Sequence, residues 1–293
     1  MIERPTLLAV FAHPDDETIA AGGTLARYAA AGVRVALLCA TRGEWGPISD
    51  DALADYETLG QVREQELRAA CEVLGIRWLQ FLDLPDGGVD WAMEDESYGA
   101  LEKVVRAMRE LRPQVVITFG PDGMYGHDDH IAIGRLTTEA FAMAGQAQTL
   151  PEQNLRPHQP RKLYYSALPK TQMPALVERL AAAGKPANLW DIPSEQFGIA
   201  PESITTSIDV SEFLSHKLQA LHCHRTQMME DHAFAHLSLE LAREVWREEG
   251  FRLVNGTAAN LTETDLFAGL GWQAENQSGL PAFDSSLLSA SLQ

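Results

Sequence analysis

Cysteine is scarce in this chain. Cys39, Cys71 and Cys223 are scattered, odd in number and form no CxxC pair, which excludes a disulfide framework and a thiolate metal knuckle. Cys39 and Cys71 fall in apolar periodic stretches, where a free thiol behaves as a small hydrophobe, so a reducing, cytoplasmic setting is expected. No stretch reaches the roughly 18 uninterrupted apolar residues that a membrane-spanning helix needs. The N-terminal MIERPTLLAVFAHP lacks the basic region and long apolar core of a secretory signal. Positive charge is also short: 23 Lys and Arg stand against 41 Asp and Glu, a formal net charge of −18. Bare nucleic acid and anionic membranes both call for basic patches, so neither is expected as a partner. Two catalytic signatures are missing as well. There is no GxGxxG turn for a dinucleotide and no GxSxG elbow for a serine hydrolase.

What is present reads as a globular α/β chain of 293 residues, with 45% hydrophobic and 22% charged residues. Short apolar runs predict buried strands at 6–12, 34–41, 76–84 and 114–120. Helical spacing occupies 24–32, 57–74 and 99–111, the second closed by Gly75, and another helix follows the fourth strand. Strands alternating with helices in this way imply a Rossmann-like three-layer fold, a mostly parallel sheet with helices on both faces. Further on, 161–168 and 203–210 read as strands and EFLSHKLQALHCH as a helix. We expect one domain over 1–272, in which 147–200 forms a lid or rim over the site. The tail 273–293, rich in Ser, Gly and Asn, is expected to be loosely packed. Gly22-Gly23 is expected to let the first helix approach the sheet.

Sites in such sheets lie beyond the carboxyl ends of the strands. Four polar clusters fall there: HPDDE (13–17), TRGE (41–44), LPDGG (84–88) and GHDDH (126–130). The first places three consecutive acids directly behind an apolar strand, which is costly unless something positive is held there. His13 and Asp16, three apart across a strand-to-helix turn, can face one point, and HDDH supplies a second histidine. Two histidines and a carboxylate are the ligand set of a catalytic zinc site or of an iron site. Spacing alone does not choose between Asp15 and Asp16, or between His127 and His130.

AHPDDE (12–17) together with GHDDH (126–130) resembles the PIG-L/LmbE family of zinc-dependent N-deacetylases. TRGEWG (41–46), VREQELRAACEVLGI (62–76), LPDGG and KLQALHCHRTQ (217–227) are similar to further elements of that family, in order. The likeness covers about 5–145 and 203–228. It implies that His13, Asp16 and His130 hold Zn2+, with Fe2+ or another divalent cation as the alternative. It implies that Asp15 is the general base, that His127 faces the oxyanion or protonates the leaving amine, and that Tyr125 polarises the amide carbonyl. Asp129 would orient a histidine, while Arg63, Arg42, Glu44 and His224 would serve the substrate. Asp128 stands where relatives often carry proline. Glu17 is left to orient His13 or the turn into the first helix, and His216 and His222 are expected to be surface or packing residues.

The implied reaction removes acetyl from an N-acetylamino sugar, a small-molecule substrate of the N-acetylglucosamine type. It would serve low-molecular-weight thiol biosynthesis or sugar catabolism. The alternatives are an amidase of thiol conjugates, a metal phosphohydrolase and, less favoured still, a sugar-binding protein without catalysis. A homo-oligomer is expected only by analogy with relatives.

Overall fold

The computed structural model describes residues 4–258 and 262–272; the tail reading at 273–293 lies outside them. Strand β1 (Thr6–Phe11) is buried at every position and leads into helix α1 (Asp16–Ala30). Strand β2 (Arg34–Cys39) exposes only Arg34 and is followed by α2 (Leu59–Leu74), which Gly75 closes in the left-handed region. Strand β3 (Trp78–Phe81), the short turn α3 (Val89–Ala92) and helix α4 (Ala100–Leu111) come next. Strand β4 (Val115–Phe119) is again wholly buried. A single turn α5 (Gly123–Gly126), non-helical at Met124 and Tyr125, precedes helix α6 (Asp128–Ala144). The remainder is β5 (Lys162–Ser166), α7 (Gln172–Ala182), β6 (Thr206–Asp209), α8 (Leu214–Cys223), α9 (Leu239–Val245) and β7 (Glu248–Asn255).

Among the described residues the strands form one sheet in the order β3-β2-β1-β4-β5-β7-β6. All pairs from β3 to β5 are parallel, and β7 alone runs antiparallel to both of its neighbours. Helices cover both faces, α1, α2 and α8 packing together and α4 packing on α6. That double cover is why β1, β2 and β4 read as continuous apolar runs rather than alternating ones. Each Leu, Val or Phe so enclosed contributes about 1.5–3 kcal/mol relative to exposure. The chain leaves β1 toward β2 and returns to β4 on the other side, so a crevice opens where these two strands end. This is the switch point at which open parallel sheets place their ligands.

Helix α1 starts at Asp16 rather than at residue 24, and its middle is bonded by side chains from other elements. Lys217 Nζ donates to Ile19 O at 3.0 Å and to Glu249 at 2.6 Å. Ser166 Oγ donates to Ala20 O at 3.1 Å. Glu249 accepts from Gly23 N at 2.9 Å and Thr24 N at 2.7 Å. Gly23 is needed because a Cβ there would stand 2.6 Å from Val210 Cβ, just past β6. The close approach allowed at Gly22-Gly23 is therefore to Val210 and Lys217, not to the central strands. Gly134 plays the same part in α6, where a Cβ would meet Phe119 O at the end of β4.

Part of 147–200 belongs to the sheet itself, since β5 pairs with β4 over Lys162 to Ser166. A second buried cluster ties the 262–272 segment to that strand: Glu263 accepts from Lys162 Nζ at 2.7 Å and Tyr164 Oη at 2.6 Å.

Candidate active site

The turn after β1 is built by its own acids. Asp16 Oδ2 accepts from His13 N at 2.7 Å, and Glu17 Oε2 accepts from Asp15 N at 3.0 Å. Asp15 sits at φ 115°, a left-handed conformation held in place by these bonds; such a residue costs about 1–3 kcal/mol. Glu17 also accepts from Thr18 Oγ1 and from His224 Nε2, the latter at 2.9 Å. Glu17 thus anchors the Asp15 backbone and does not touch His13.

His13 Nε2 lies 3.1 Å from Asp129 Oδ2 and 3.2 Å from Asp86 Oδ1. Asp129 is in turn fixed by Gly87 N at 2.7 Å and Val89 N at 3.0 Å, from the turn after β3. With Nε2 directed at carboxylates, His13 presents Nδ1 to Asp16 Oδ2 at 3.5 Å. His130 lies 3.1 Å from Gly123 O through Nδ1, and a carbonyl only accepts, so Nδ1 carries the proton. Its Nε2 faces Asp16 Oδ1 at 3.2 Å, yet is buried without a hydrogen-bond partner. Lone pairs on a ring nitrogen and a carboxylate oxygen at that distance repel unless a proton or cation lies between them. The ligand atoms of His13, Asp16 and His130 lie within 4.8 Å of one another. Both histidines have their outer nitrogen held by a carboxylate or carbonyl, the support that metal-ligating histidines receive. The residues therefore fit a divalent cation. His13, His127 and Asp129 satisfy the same distance, but the oxygens of Asp129 are already engaged by two backbone N–H groups and His13.

Charge is tuned around this point. Burial pushes the Asp15 carboxyl up to about 6, against the opposing pull of Arg63. Burial also opposes ionisation of Asp16, but His130 and His13 outweigh it and hold the carboxyl well below the usual range. Burial, then the neighbouring His13 and His130, bring His127 down to about 4, which leaves it neutral. Burial raises the Tyr125 hydroxyl, so it keeps its proton.

A cavity of about 370 Å³ opens over the cluster, with His13, Asp15, Asp16, His127 and His130 in its lining. Tyr125 and Arg63 line it too. Arg63 reaches from α2 to Pro14 O at 2.6 Å, Gly43 O at 3.0 Å and Asp15 Oδ2 at 3.3 Å. His127 caps α6, accepting from Asp129 N at 3.2 Å, and Asp128 is exposed in the first turn of that helix, where negative charge is favourable.

Three residues expected at the substrate lie elsewhere. His224 is fully buried behind Glu17. Arg42 is bound to Glu64 at 2.7 Å and Asp83 at 2.5 Å, and with Glu44 it lines a neighbouring groove. The loop 41–46 crosses the ridge between cavity and groove, so successive residues face different ways, which spacing does not reveal. His222 bonds Leu218 O in its own helix and His216 packs against Phe213.

The cavity also contains residues absent from the expectations. Asp86 was within reach of sequence reasoning, since it belongs to the LPDGG turn. Trp45 was within reach too, as part of TRGEWG, whereas Trp190 and Ile192 had no such signal. Trp190 stacks on Tyr125 with ring centroids 5.9 Å apart at 17°.

Sheet, switch point and side-chain cluster define the class: a Rossmann-like α/β protein with two histidines and an aspartate that fit a divalent cation and a buried carboxylate beside them. The sequence pattern of PIG-L, described as GlcNAc-PI de-N-acetylase, matches residues 8–141. The 1D-myo-inositol 2-acetamido-2-deoxy-alpha-D-glucopyranoside deacetylase of Streptomyces avermitilis is 38% identical, over 90% of this chain and 97% of its own. The chain belongs to the PIG-L family of de-N-acetylases. A deacetylase of the same description, numbered 2, from Catenulispora acidiphila is 37% identical over 92% of this chain and 98% of its own.

Solved structures bear on the fold. N,N'-diacetylchitobiose deacetylase from Pyrococcus horikoshii superposes with a TM-score of 0.61 at 18% identity, covering 89% of this chain and 87% of its own. The 4-carboxy-2-hydroxymuconate hydratase GalB from Pseudomonas putida gives 0.59 at 19% identity, covering 87% and 98%. One architecture therefore carries different chemistries, and function has to be argued from the site.

Proposed function

We propose that this protein removes the acetyl group from an N-acetylated amino sugar, an N-acetylglucosamine joined to a polyol such as inositol, by metal-assisted hydrolysis. The observation that carries the reading is the convergence of His13 Nδ1, His130 Nε2 and the Asp16 carboxylate at the β1/β4 switch point, with Asp15 beside them. These three side chains hold the cation, and zinc suits two imidazoles and one carboxylate with positions left open. Bound there, it supplies a Lewis acid that acidifies water and polarises a carbonyl.

The chain's own residues do the rest. Asp15, with a carboxyl near 6, accepts the proton of the attacking water, as a base poised near neutral pH should. Arg63 fixes that carboxylate through Oδ2 and the backbone beside it. The Tyr125 hydroxyl and His127, both in the cavity wall, stand to donate to the oxygen of the scissile amide and to the departing amine. Trp190 and Ile192, in the cavity wall, flank the substrate. No helix among the described residues is long and apolar enough to cross a membrane.

Acetate release tests the proposal. Chelation followed by Zn2+ addition should abolish and restore turnover of an N-acetylglucosaminyl inositol, and Asp15→Ala should keep the metal while losing nearly all activity. Turnover of phosphate esters without acetate release would replace this reading with a phosphohydrolase.

A further inference from the structure

Trp45 and Tyr56 are the most exposed large apolar side chains among the described residues, at 71% and 63%. They are not scattered. Their rings lie 6.3 Å apart, inclined by 31°. Trp45 lines the cavity over the cation site. Tyr56 lines the neighbouring groove, about 380 Å³, together with Arg42, Glu44, Gln61 and Tyr98. The pair joins the two depressions.

The wall between the depressions is one residue thick. Glu44 faces the groove and Gly46 the cavity; Pro85 faces the groove and Asp86 the cavity. Two residues of chain span at most about 7 Å, comparable to the width of one pyranose ring. The two loops are pinned to each other: Trp45 N donates to Asp86 Oδ2 at 2.8 Å, and Asp86 N donates to Glu44 Oε1 at 3.0 Å. The aromatic ridge therefore stands on a fixed base.

We propose that ridge and groove form a subsite for the second ring of the substrate, a neutral polyhydroxylated ring attached to the acetamido sugar. The proposal rests on the deacetylase reading above. The C–H face of such a ring packs on Trp45 and Tyr56. Its hydroxyls meet donors from Arg42 and Gln61 and an acceptor from Glu44. A phosphorylated ring is disfavoured, because Arg42 is already neutralised by Glu64 and Asp83 and Glu57 and Asp83 face the same groove. This placement gives Arg42 and Glu44 a common role although neither reaches the cation site.

Two measurements test it. The first compares kcat/KM for the methyl glycoside of N-acetylglucosamine and for N-acetylglucosaminyl myo-inositol. The wild type should prefer the two-ring substrate by tenfold or more. Tyr56→Ala and Gln61→Ala should each raise KM for that substrate and lower the preference several-fold. A wild-type ratio near one, or a ratio that both variants leave unchanged, overturns the subsite. The second titrates tryptophan fluorescence with free myo-inositol, with Trp45→Phe identifying the responding ring. Saturable quenching that Tyr56→Ala removes supports the subsite; no quenching in the wild type overturns it. Turnover of neither glycoside would defeat the deacetylase reading, and the titration would then decide the subsite alone. Tighter binding of an inositol phosphate than of inositol refutes the neutral-ring assignment. A dimer lost in Trp45→Ala would make the ridge an interface between copies instead.

Discussion

Replacing His224 with leucine isolates the carboxylate of Glu17 in the protein interior. His224 is 0% and Glu17 1% exposed, and their contact is 2.9 Å. Removing one partner of such a pair leaves an uncompensated buried charge, a loss of about 3–5 kcal/mol. Glu17→Leu removes the charge but strands three donors, on Asp15 N, Thr18 Oγ1 and His224 Nε2. At about 1–3 kcal/mol for each buried donor that finds no new partner, its cost is similar. The double variant Glu17→Leu/His224→Leu has neither a bare charge nor a bare imidazole, so the single losses should not add, and a coupling of about 2–3 kcal/mol is expected. Urea unfolding of the metal-loaded proteins measures this cycle. Activity separates the two singles. His224→Leu leaves the bond from Asp15 N to Glu17 in place and should keep part of kcat. Glu17→Leu releases Asp15 from its left-handed conformation and should lose far more at equal metal content. Additive stability losses, or undiminished kcat in Glu17→Leu, would refute the reasoning.

Three further outcomes follow from the same geometry. Zn2+ at 100 times its dissociation constant should stabilise the chain by about 2.7 kcal/mol, seen as a denaturation shift that His13→Ala abolishes; an equal shift in the variant would place the metal elsewhere. Asp129→Asn weakens the hold on His13 Nε2 and should lower zinc affinity about 10- to 100-fold in competition with a chelating dye, and unchanged affinity would end that role for Asp129. His232, whose Nε2 is buried without a hydrogen-bond partner, is pushed down from 6.5 to about 4 by burial, Asp231 opposing the shift and His236 adding to it. Its folded form resists a proton that the unfolded chain takes up, so its contribution is complete above pH 6.5 and lost as the pH falls toward 4, about 3 kcal/mol in all. His232→Gln should flatten stability over that range, and an unchanged slope between the two proteins would contradict it.

The parallel sheet and its switch point were legible because β1, β2 and β4 are enclosed on both faces and leave continuous apolar runs. That these histidines and acids would meet was legible because they lie close in sequence, within 13–16 and 127–130, at strand ends. What escaped is non-local. Strand β7, EEGFRLVN, opens with two acids and a glycine, yet Glu249 is buried because Lys217 and the amides of Gly23 and Thr24 meet it. The early start of α1 was hidden by acids that look like loop residues and by a double glycine in its interior. His224 and Glu17 are 207 residues apart, so nothing in either neighbourhood announces the pair. Trp190 lies where no motif reaches.

The side chains threaded into α1 set limits on how this protein can be recombined. The helix that begins with Asp16, the proposed cation ligand, exchanges hydrogen bonds in its middle with Ser166, Lys217 and Glu249. A chimera that takes its first half from one relative and its last hundred residues from another must keep these four elements from a single parent. The loop ridge around the cavity carries its own pairing, Trp45 N to Asp86 and Asp86 N to Glu44, so substrate range can drift there when both turns are exchanged together while the strut behind the helix stays fixed.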